Sequence, residues 1–416
     1  MLIGFSEEII NIDKECWLSG YYPLRKCEQK HLDLKARSFV FKDEKYYCLI
    51  QLDVIAVDDD FVDQVKCLLS KYGFEKDNII ICATHTHSGP TGLLDTSKPL
   101  YFGLDKIFGI KDDDIINAYL KAIELSVASS LEDMQPFKMG FTKSVLNSEY
   151  SNRHDIQYSY DNDILVISFI TKNNKKGLIY NLSCHPTILN GNSKIMSPDF
   201  CGVVENKLEG YQVCAFINGS AGDVSTRFTR KSSGVDQLEI TGAAISNKIM
   251  DMIKNINYHT VNNIGIFNWK YDVLCKEFDS EEVAKKKLDD AQHMLKSCKD
   301  INQIRLLQSL VEGATLNLLY AKNPNKIDRC NFNIAMLKIN DLKLVAIPGE
   351  LFSHLGKLLK DKYGCSIMGY TNGYNLYIVD EKGYEKDCYE SKTSLFKKGE
   401  AEKLIKFISD KIVDTI

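Results

Sequence analysis

The stretch "THTHSGP" at 84–90 places two histidines two apart, directly after the apolar run "NIIICA". Alternate side chains of an extended chain share a face, so His85 and His87 are expected to project together past a strand end that Gly89-Pro90 turns and leaves exposed. Alone, the pair closes a strand and names no chemistry. Four further stretches carry residue types that hydrolytic zinc chemistry needs. In "YNLSCHPTI", His185 follows an apolar strand and precedes a proline. In "LVAIPGELF", Glu350 follows a strand and a Pro-Gly turn, and is expected to open a helix whose positive N-terminus suits its charge. In "FINGSAGDVSTR", the turn around Gly222 lets backbone N–H groups approach a ligand closely, with Asp223 and Ser225 just beyond. In "GYTNGYNLYIVDEKGYEKDCYE", Tyr374, Tyr377, Tyr384 and Tyr389 crowd a segment containing an Asn-Gly turn. Each stretch has an ordinary structural explanation. Together, two histidines and one carboxylate on separate loops form a common catalytic zinc set that leaves a position for water. Zinc brings the pKa of that water from ~15.7 to about 7, which makes an amide or ester carbonyl attackable at neutral pH.

These residues need a frame. Strand-like runs "SFVFKD", "YYCLIQLDVIAV", "NIIICAT", "ILVISFI", "GLIYNLSC" and "YQVCAFI" alternate with helical patterns "DDFVDQVKCLLSKYG", "DDDIINAYLKAIELSVASSL" and a third near 236–254. Further strands are expected at "NIAMLKI", "LKLVAIP" and "SIMGYT". The order predicts an α/β fold with mixed β-sheets and helices outside, the metal loops lying at one end of the sheets. Residues 279–321 read as two charged helices broken at "KSCKDIN", a helical hairpin inserted between sheet elements and expected to be a solvated, peripheral appendage. Eight prolines and no Gly/Ser-rich linker leave no domain boundary in sight, so one domain over 1–416 is expected.

Composition narrows the partners. At 44% hydrophobic over 416 residues the chain can bury a large core. A net charge of -4, from 52 basic and 56 acidic residues, gives no footprint for nucleic acid. No apolar run approaches a membrane span, and "MLIGFSEEIINIDKE" lacks the basic-then-apolar order of an export signal, so no stable membrane insertion and a cytoplasmic location are expected. Thirteen cysteines without a C-x-x-C pair fit reduced thiols better than a disulfide framework.

Taken in order, the motifs resemble the neutral (non-lysosomal) ceramidase family of zinc amidases, which cut the N-acyl bond of ceramide. The resemblance rests on "THTHSGP", Asn152-Arg153, "CHPTI" followed by "SPDF", "GDVS", "PGE" and the tyrosine segment, from about residue 3 to 391. The openings "IGFSEEIINID" and "LIQLDVIAV" are similar to the family's first strands. The resemblance implies Zn2+ held by His85, His185, Glu350 and Tyr377, with Tyr374 as the alternative tyrosine. It implies catalytic roles for His87 and Arg153. Ser225 matches a serine that serves as nucleophile or positions the substrate; a zinc-activated water makes the second role the expected one. Gly222, Asp223 and Tyr389 are expected on the substrate side, Asp223 also as a residue that shapes the loop. Thr226 stands where the family has a proline. Neither the C-terminal sandwich domain of full-length members nor an export signal has a counterpart in these residues, which weakens ceramide as the substrate.

Three functions are therefore set against one another. The first is a zinc amide hydrolase acting on ceramide or another N-acylated compound. The second keeps the chemistry but takes a small polar amide or ester, and the lining beyond the metal discriminates the two. The third is a non-catalytic zinc module, which His87, Arg153 and Ser225 beside the ligand set argue against.

Overall fold

The computed structural model describes residues 1–415, with the side chains of residues 301, 302, 305 and 306 left out. Strand Ile79–Ala83 is buried at every position, and Asp163–Thr171 and Lys176–Leu182 at almost every one. Such runs require cover on both faces of a sheet. The fold supplies it as four layers, two mixed sheets face to face with helices outside each.

The larger sheet runs in the order Val213–Asn218, Lys176–Leu182, Asp163–Thr171, Gln135–Val145, Leu2–Ile9, Lys35–Lys42, Tyr46–Leu52, Ile79–Ala83, with His259–Thr260 beside Gln135–Val145. The pair at each edge is parallel and the others are antiparallel. The second sheet runs Ile264–Leu274, Arg329–Ile339, Leu342–Ala346, Ser366–Met368. Between the sheets, Phe5, Phe39, Phe41 and Phe169 pack against Leu337, Leu344 and Met368. The period of two is visible in Lys35–Lys42: Phe39 and Phe41 face the second sheet, whereas Ser38 turns outward, its Oγ 2.7 Å from Ser126 Oγ of helix Asp113–Glu132. Two strands carry no clear mark in the sequence. Gln135–Val145 and Ile264–Leu274 are exposed along much of their length, and Lys138, Lys143, Asn268 and Lys270 interrupt their apolar pattern.

Twist places the strand ends. Read through the ladder, the edge strands Ile79–Ala83 and Val213–Asn218 run in opposite senses, yet seven inter-strand steps separate them. At roughly 20–25° per step these accumulate to roughly 140–175°, enough to turn opposed strands toward a common direction. The two edges accordingly meet: Asn218 Nδ2 donates to the Thr84 carbonyl at 3.2 Å. Segment 369–372 closes the seam, with Gly369 N–H on Asn218 O (2.9 Å), Ala83 N–H on Tyr370 O (3.1 Å) and Asn372 N–H on Ile81 O (2.9 Å). Both edges thereby find hydrogen-bond partners.

The insertion is a helical hairpin, Glu281–Ser297 and Ile301–Ala321, between two adjacent strands of the second sheet. It is not the solvated appendage expected. Ala314, Leu316 and Tyr320 of its second helix are buried, and Gly313 lies against Lys392 and Tyr389. The charged first helix dominates the sequence pattern, whereas "LLQSLVEGATLNLLYA" carries one charge and packs inward.

Candidate functional site

The chain leaves strand Ile79–Ala83 through Thr84, whose N–H bonds Leu52 O, and His85, whose N–H bonds Val54 O, both at 2.9 Å. His85 then adopts φ 68°, a left-handed conformation uncommon for a non-glycine residue. Same-face projection from an extended strand therefore does not describe this pair. The turn itself brings the imidazoles together edge to face, with Nε2 atoms 3.3 Å apart. Neighbouring motifs hold the turn: Thr86 Oγ1 donates to Ser197 O (2.8 Å) and Ser197 N–H to Ser88 O (3.0 Å). Asp199, two residues on in "SPDF", accepts from the N–H groups of Leu189 (3.0 Å) and Phe200 (2.8 Å), fixing the turn after His185.

Glu350 reaches the site from a different element than the sequence suggested. It lies in a two-residue ladder, opposite Tyr377, and the helix begins only at Ser353. Asp223 serves that helix end, accepting from Ser353 N–H at 2.7 Å and from Asn152 Nδ2 at 2.8 Å. Gly222 gives its N–H to Leu351 O (2.9 Å), and a Cβ there would lie 2.7 Å from Glu350 O. The backbone that Gly222 lets come close is thus that of Glu350, and neither Gly222 nor Asp223 lines the cavity beside the site. Their expected place on the substrate side is replaced by a place beneath the carboxylate.

Three imidazoles and that carboxylate converge. His185 Nε2 lies 2.9 Å and His85 Nε2 3.4 Å from Glu350 Oε2, and the ring nitrogens of His85, His87 and His185 cluster within 4.8 Å. Each remaining ring nitrogen faces a backbone carbonyl: His85 Nδ1 that of Ile55 (2.7 Å), His87 Nδ1 that of Gly20 (3.0 Å), His185 Nδ1 that of Val224 (3.1 Å). A carbonyl can only accept, so each Nδ1 carries the proton and each Nε2 presents a lone pair. Burial, reinforced by Arg153, lowers the His185 imidazole to about 4, so its lone pair persists at neutral pH. Lone pairs aimed at one carboxylate oxygen fit a divalent cation such as zinc, and carbonyls behind the imidazoles are the usual support of metal-binding histidines.

The tyrosines separate by partner. Tyr374 OH donates to Glu350 Oε1 at 2.6 Å and orients the carboxylate. Tyr377 OH accepts from Arg153 Nη2 at 3.0 Å, while Arg153 Nη1 lies 3.2 Å from His185 Nε2. Ser225 Oγ accepts from Arg227 N–H at 3.2 Å, and no histidine or carboxylate bonds it among the described residues. His87, His185, Arg153, Ser225, Tyr377 and Tyr389 all line a cavity of about 580 Å³, and the hairpin contributes Leu307, Leu310 and Glu312 to its wall. Ile55, Leu104, Phe108 and Leu316 line a further niche of about 40 Å³ beside His85 and Tyr377.

Several residues of the site escaped the sequence reading. Arg25 holds the His87 carbonyl and Ser19 O, both at 2.6 Å, and Gly20, at φ 92°, packs on the His87 ring. Glu390 binds both Arg153 and His154, the latter at 2.7 Å. Burial lowers the His154 imidazole, but Glu390 outweighs it and raises the group to about 10. Cys388 lies near enough to His154 and Glu390 to suggest a second metal cluster, but two cations already neutralise that carboxylate. Only the adjacencies "NRH" and "YE" hinted at this pair.

The layered mixed sheets and the imidazole–carboxylate cluster at their seam define an α/β protein with a metal-binding type of centre. The chain belongs to the neutral/alkaline non-lysosomal ceramidase family, whose N-terminal family model matches residues 13–246. It is 25% identical over 177 residues to the neutral ceramidase of Pseudomonas aeruginosa, covering 38% of this chain and 26% of that one. It is 24% identical over 158 residues to neutral ceramidase 3 of Arabidopsis thaliana, covering 34% and 21%. The matched stretches thus span about a quarter of these relatives' length. The crystal structure of the Pseudomonas aeruginosa enzyme superposes with a TM-score of 0.78 at 18% identity, over 99% of this chain and 74% of that one. A ceramidase complexed with C2 gives 0.77 at 17% identity over the same shares. These superpositions establish the fold.

Proposed function

We propose that the protein is a zinc-dependent hydrolase of N-acyl amides. The observation that carries this reading is the fixed tautomer of His85 and His185, whose Nε2 lone pairs converge on Glu350 Oε2. His85, His185, Glu350 and Tyr377 would hold the ion, with burial raising the Tyr377 phenol, Arg153 opposing that rise, and Tyr374 orienting the carboxylate. When bound, zinc supplies Lewis acidity and a nucleophilic water at neutral pH. His87 is half-buried and lines the cavity, so its Nε2 can take a proton from the attacking water and return it to the leaving amine. Arg153 supplies fixed positive charge for the developing oxyanion. Among the described residues no histidine or carboxylate bonds the Ser225 hydroxyl, which supports a role in placing the carbonyl rather than attacking it.

The names of the relatives point to ceramide, while the lining favours the second reading, a polar amide. Beside Leu307 and Leu310 the larger cavity is walled by arginines, histidines, tyrosines and carboxylates. The described residues contain no helix long and apolar enough to cross a membrane. Thirteen free cysteines, most of them buried, support a reducing compartment such as the cytoplasm.

Elemental analysis of purified protein together with a panel of N-acyl amides tests the reading. About one zinc per chain is expected. His85→Ala should lose the metal, whereas His87→Ala should keep it and lose roughly 100-fold or more in turnover. Metal-free protein that still hydrolyses amides, or equal zinc loss in both variants, would sink the assignment.

A further inference from the structure

The cavity carries positive charge that the centre does not use. Arg153 and His154 share Glu390, and Arg25 is occupied by backbone carbonyls. Arg227 and Arg230 differ. They lie three apart on the turn after Ser225, both half-buried and both lining the cavity. Arg227 Nη1 donates to Arg153 O (3.2 Å), and Arg230 Nη1 to Thr187 O and Thr226 Oγ1. Those acceptors are uncharged, and among the described residues neither guanidinium forms an ion pair.

Among the described residues, no carboxylate of the same cavity forms an ion pair with them. Glu390 already holds two cations, Asp387 pairs with Lys392, and Asp155 accepts the Gln157 N–H at 2.9 Å. Glu312 of the hairpin, its carboxyl raised by burial and only partly lowered by Arg227, forms no ion pair with either arginine among the described residues. Glu312 and Glu390 face Arg227 and Asp199 faces Arg230 only beyond ion-pair distance; partly buried guanidinium groups without a paired carboxylate are better satisfied by a ligand that supplies one, and their planar donor forks match carboxylate and phosphate oxygens. The pair also sits at the rim of the centre, since Ser225 bridges His185 in the backbone and precedes Arg227 by two residues.

We propose that the substrate is an anionic N-acyl compound, bearing a carboxylate or phosphate a few bonds from the scissile amide, and that Arg227 and Arg230 bind that group. This rests on the amide-hydrolase reading and narrows its substrate class. The pair determines specificity, because Arg153, His87 and Ser225 already serve the carbonyl.

The test uses the zinc-loaded full chain and three amides with one acyl group: an N-acyl ethanolamine, its O-phosphate, and an N-acyl glycine. An anionic member should exceed the neutral one in kcat/KM by about tenfold or more, mainly through KM, and should lose this lead as salt rises. Arg227→Ala and Arg230→Ala should each cut the anionic-to-neutral ratio by roughly 10- to 100-fold, with Arg227→Lys restoring part of it. Which anionic member leads distinguishes phosphate from carboxylate. Equal rates for all three, or a ratio that neither alanine variant moves, overturns the proposal. If no compound is hydrolysed, the hydrolase reading fails, and calorimetric binding of the same compounds decides this one. Anionic compounds that bind more tightly to the wild type than to Arg227→Ala then support it, and equal binding overturns it.

Discussion

His154 carries a pH signature that can be read without any substrate. Its Nε2 lies 2.7 Å from Glu390 Oε2 in a largely buried pair. Burial lowers the imidazole, Glu390 raises it further, and the balance places it at about 10 against ~6.5 in an unfolded chain. The folded state therefore keeps a proton that the unfolded state releases above about pH 6.5. Stability from this proton is fully present below that pH and falls as pH rises toward 10, by up to ~1.4 kcal/mol per pH unit. Glu390 runs the other way. Burial raises its carboxyl, but Arg153 and His154 together hold it below the usual carboxylate range, so its contribution is lost only as pH falls below ~4.5. The pair is strongest between roughly pH 4.5 and 6.5. His154→Gln retains a polar contact to Glu390 and removes the titrating charge, while Arg153 still neutralises the carboxylate. The variant should be less stable at pH 6 by a few kcal/mol, at most the ~5 kcal/mol that a rise from ~6.5 to about 10 represents. That gap should shrink by about 1.4 kcal/mol per unit above pH 7. Urea unfolding of both proteins at pH 6, 7, 8 and 9 measures the gap, and an imidazole NMR titration reads the group directly. A gap that stays constant from pH 6 to 9, or an imidazole that titrates near 6.5, would refute the reasoning.

Two further outcomes follow from the same geometry. Ser225→Ala should slow turnover by roughly 100- to 1000-fold, the loss typical of one oxyanion contact, yet leave it measurable, and intact-mass analysis of a quenched wild-type reaction should show no acyl adduct; an adduct mapped to Ser225 would make it the nucleophile. Gly222→Ala sets a Cβ 2.7 Å from Glu350 O, so the backbone beneath the carboxylate must shift and zinc affinity should fall by about tenfold or more, measured by competition with a chelator; unchanged affinity would show that the ladder is not what positions Glu350.

How far the sequence reaches depends on the range of the interaction involved. Apolar runs such as "NIIICAT" and "ILVISFI" mark buried strands because sheets covered on both faces leave no polar positions. Gln135–Val145 and Ile264–Leu274 are illegible for the converse reason, one open face each. His85 and His185 stand out because each closes an apolar run before a turn, and Glu350 because it follows an apolar run and a Pro-Gly turn. Their convergence does not, since it needs the accumulated twist of a whole sheet and the left-handed turn at His85. Partners distant in sequence are less legible still. Arg25 and His87 are 62 residues apart, Arg153 and Glu390 237 apart, and no local pattern links either pair.

The hairpin shows how the chemistry and the choice of substrate come apart in this fold. The donors and their carbonyl supports lie at the seam, where twist, the 369–372 segment and the "THTHSGP"–"SPDF" contacts fix them together. Altering any one of these disturbs the others, so the centre has little room to change. The hairpin is an excursion between two neighbouring strands of the second sheet, and those strands pair over their full length without it. Yet Leu307, Leu310 and Glu312 wall the larger cavity, while Leu316 and Tyr320 wall the apolar niche beside His85. One element therefore shapes both spaces beside the centre without contributing a donor. Likeness at the seam therefore speaks for the centre more firmly than for the compound it would act on.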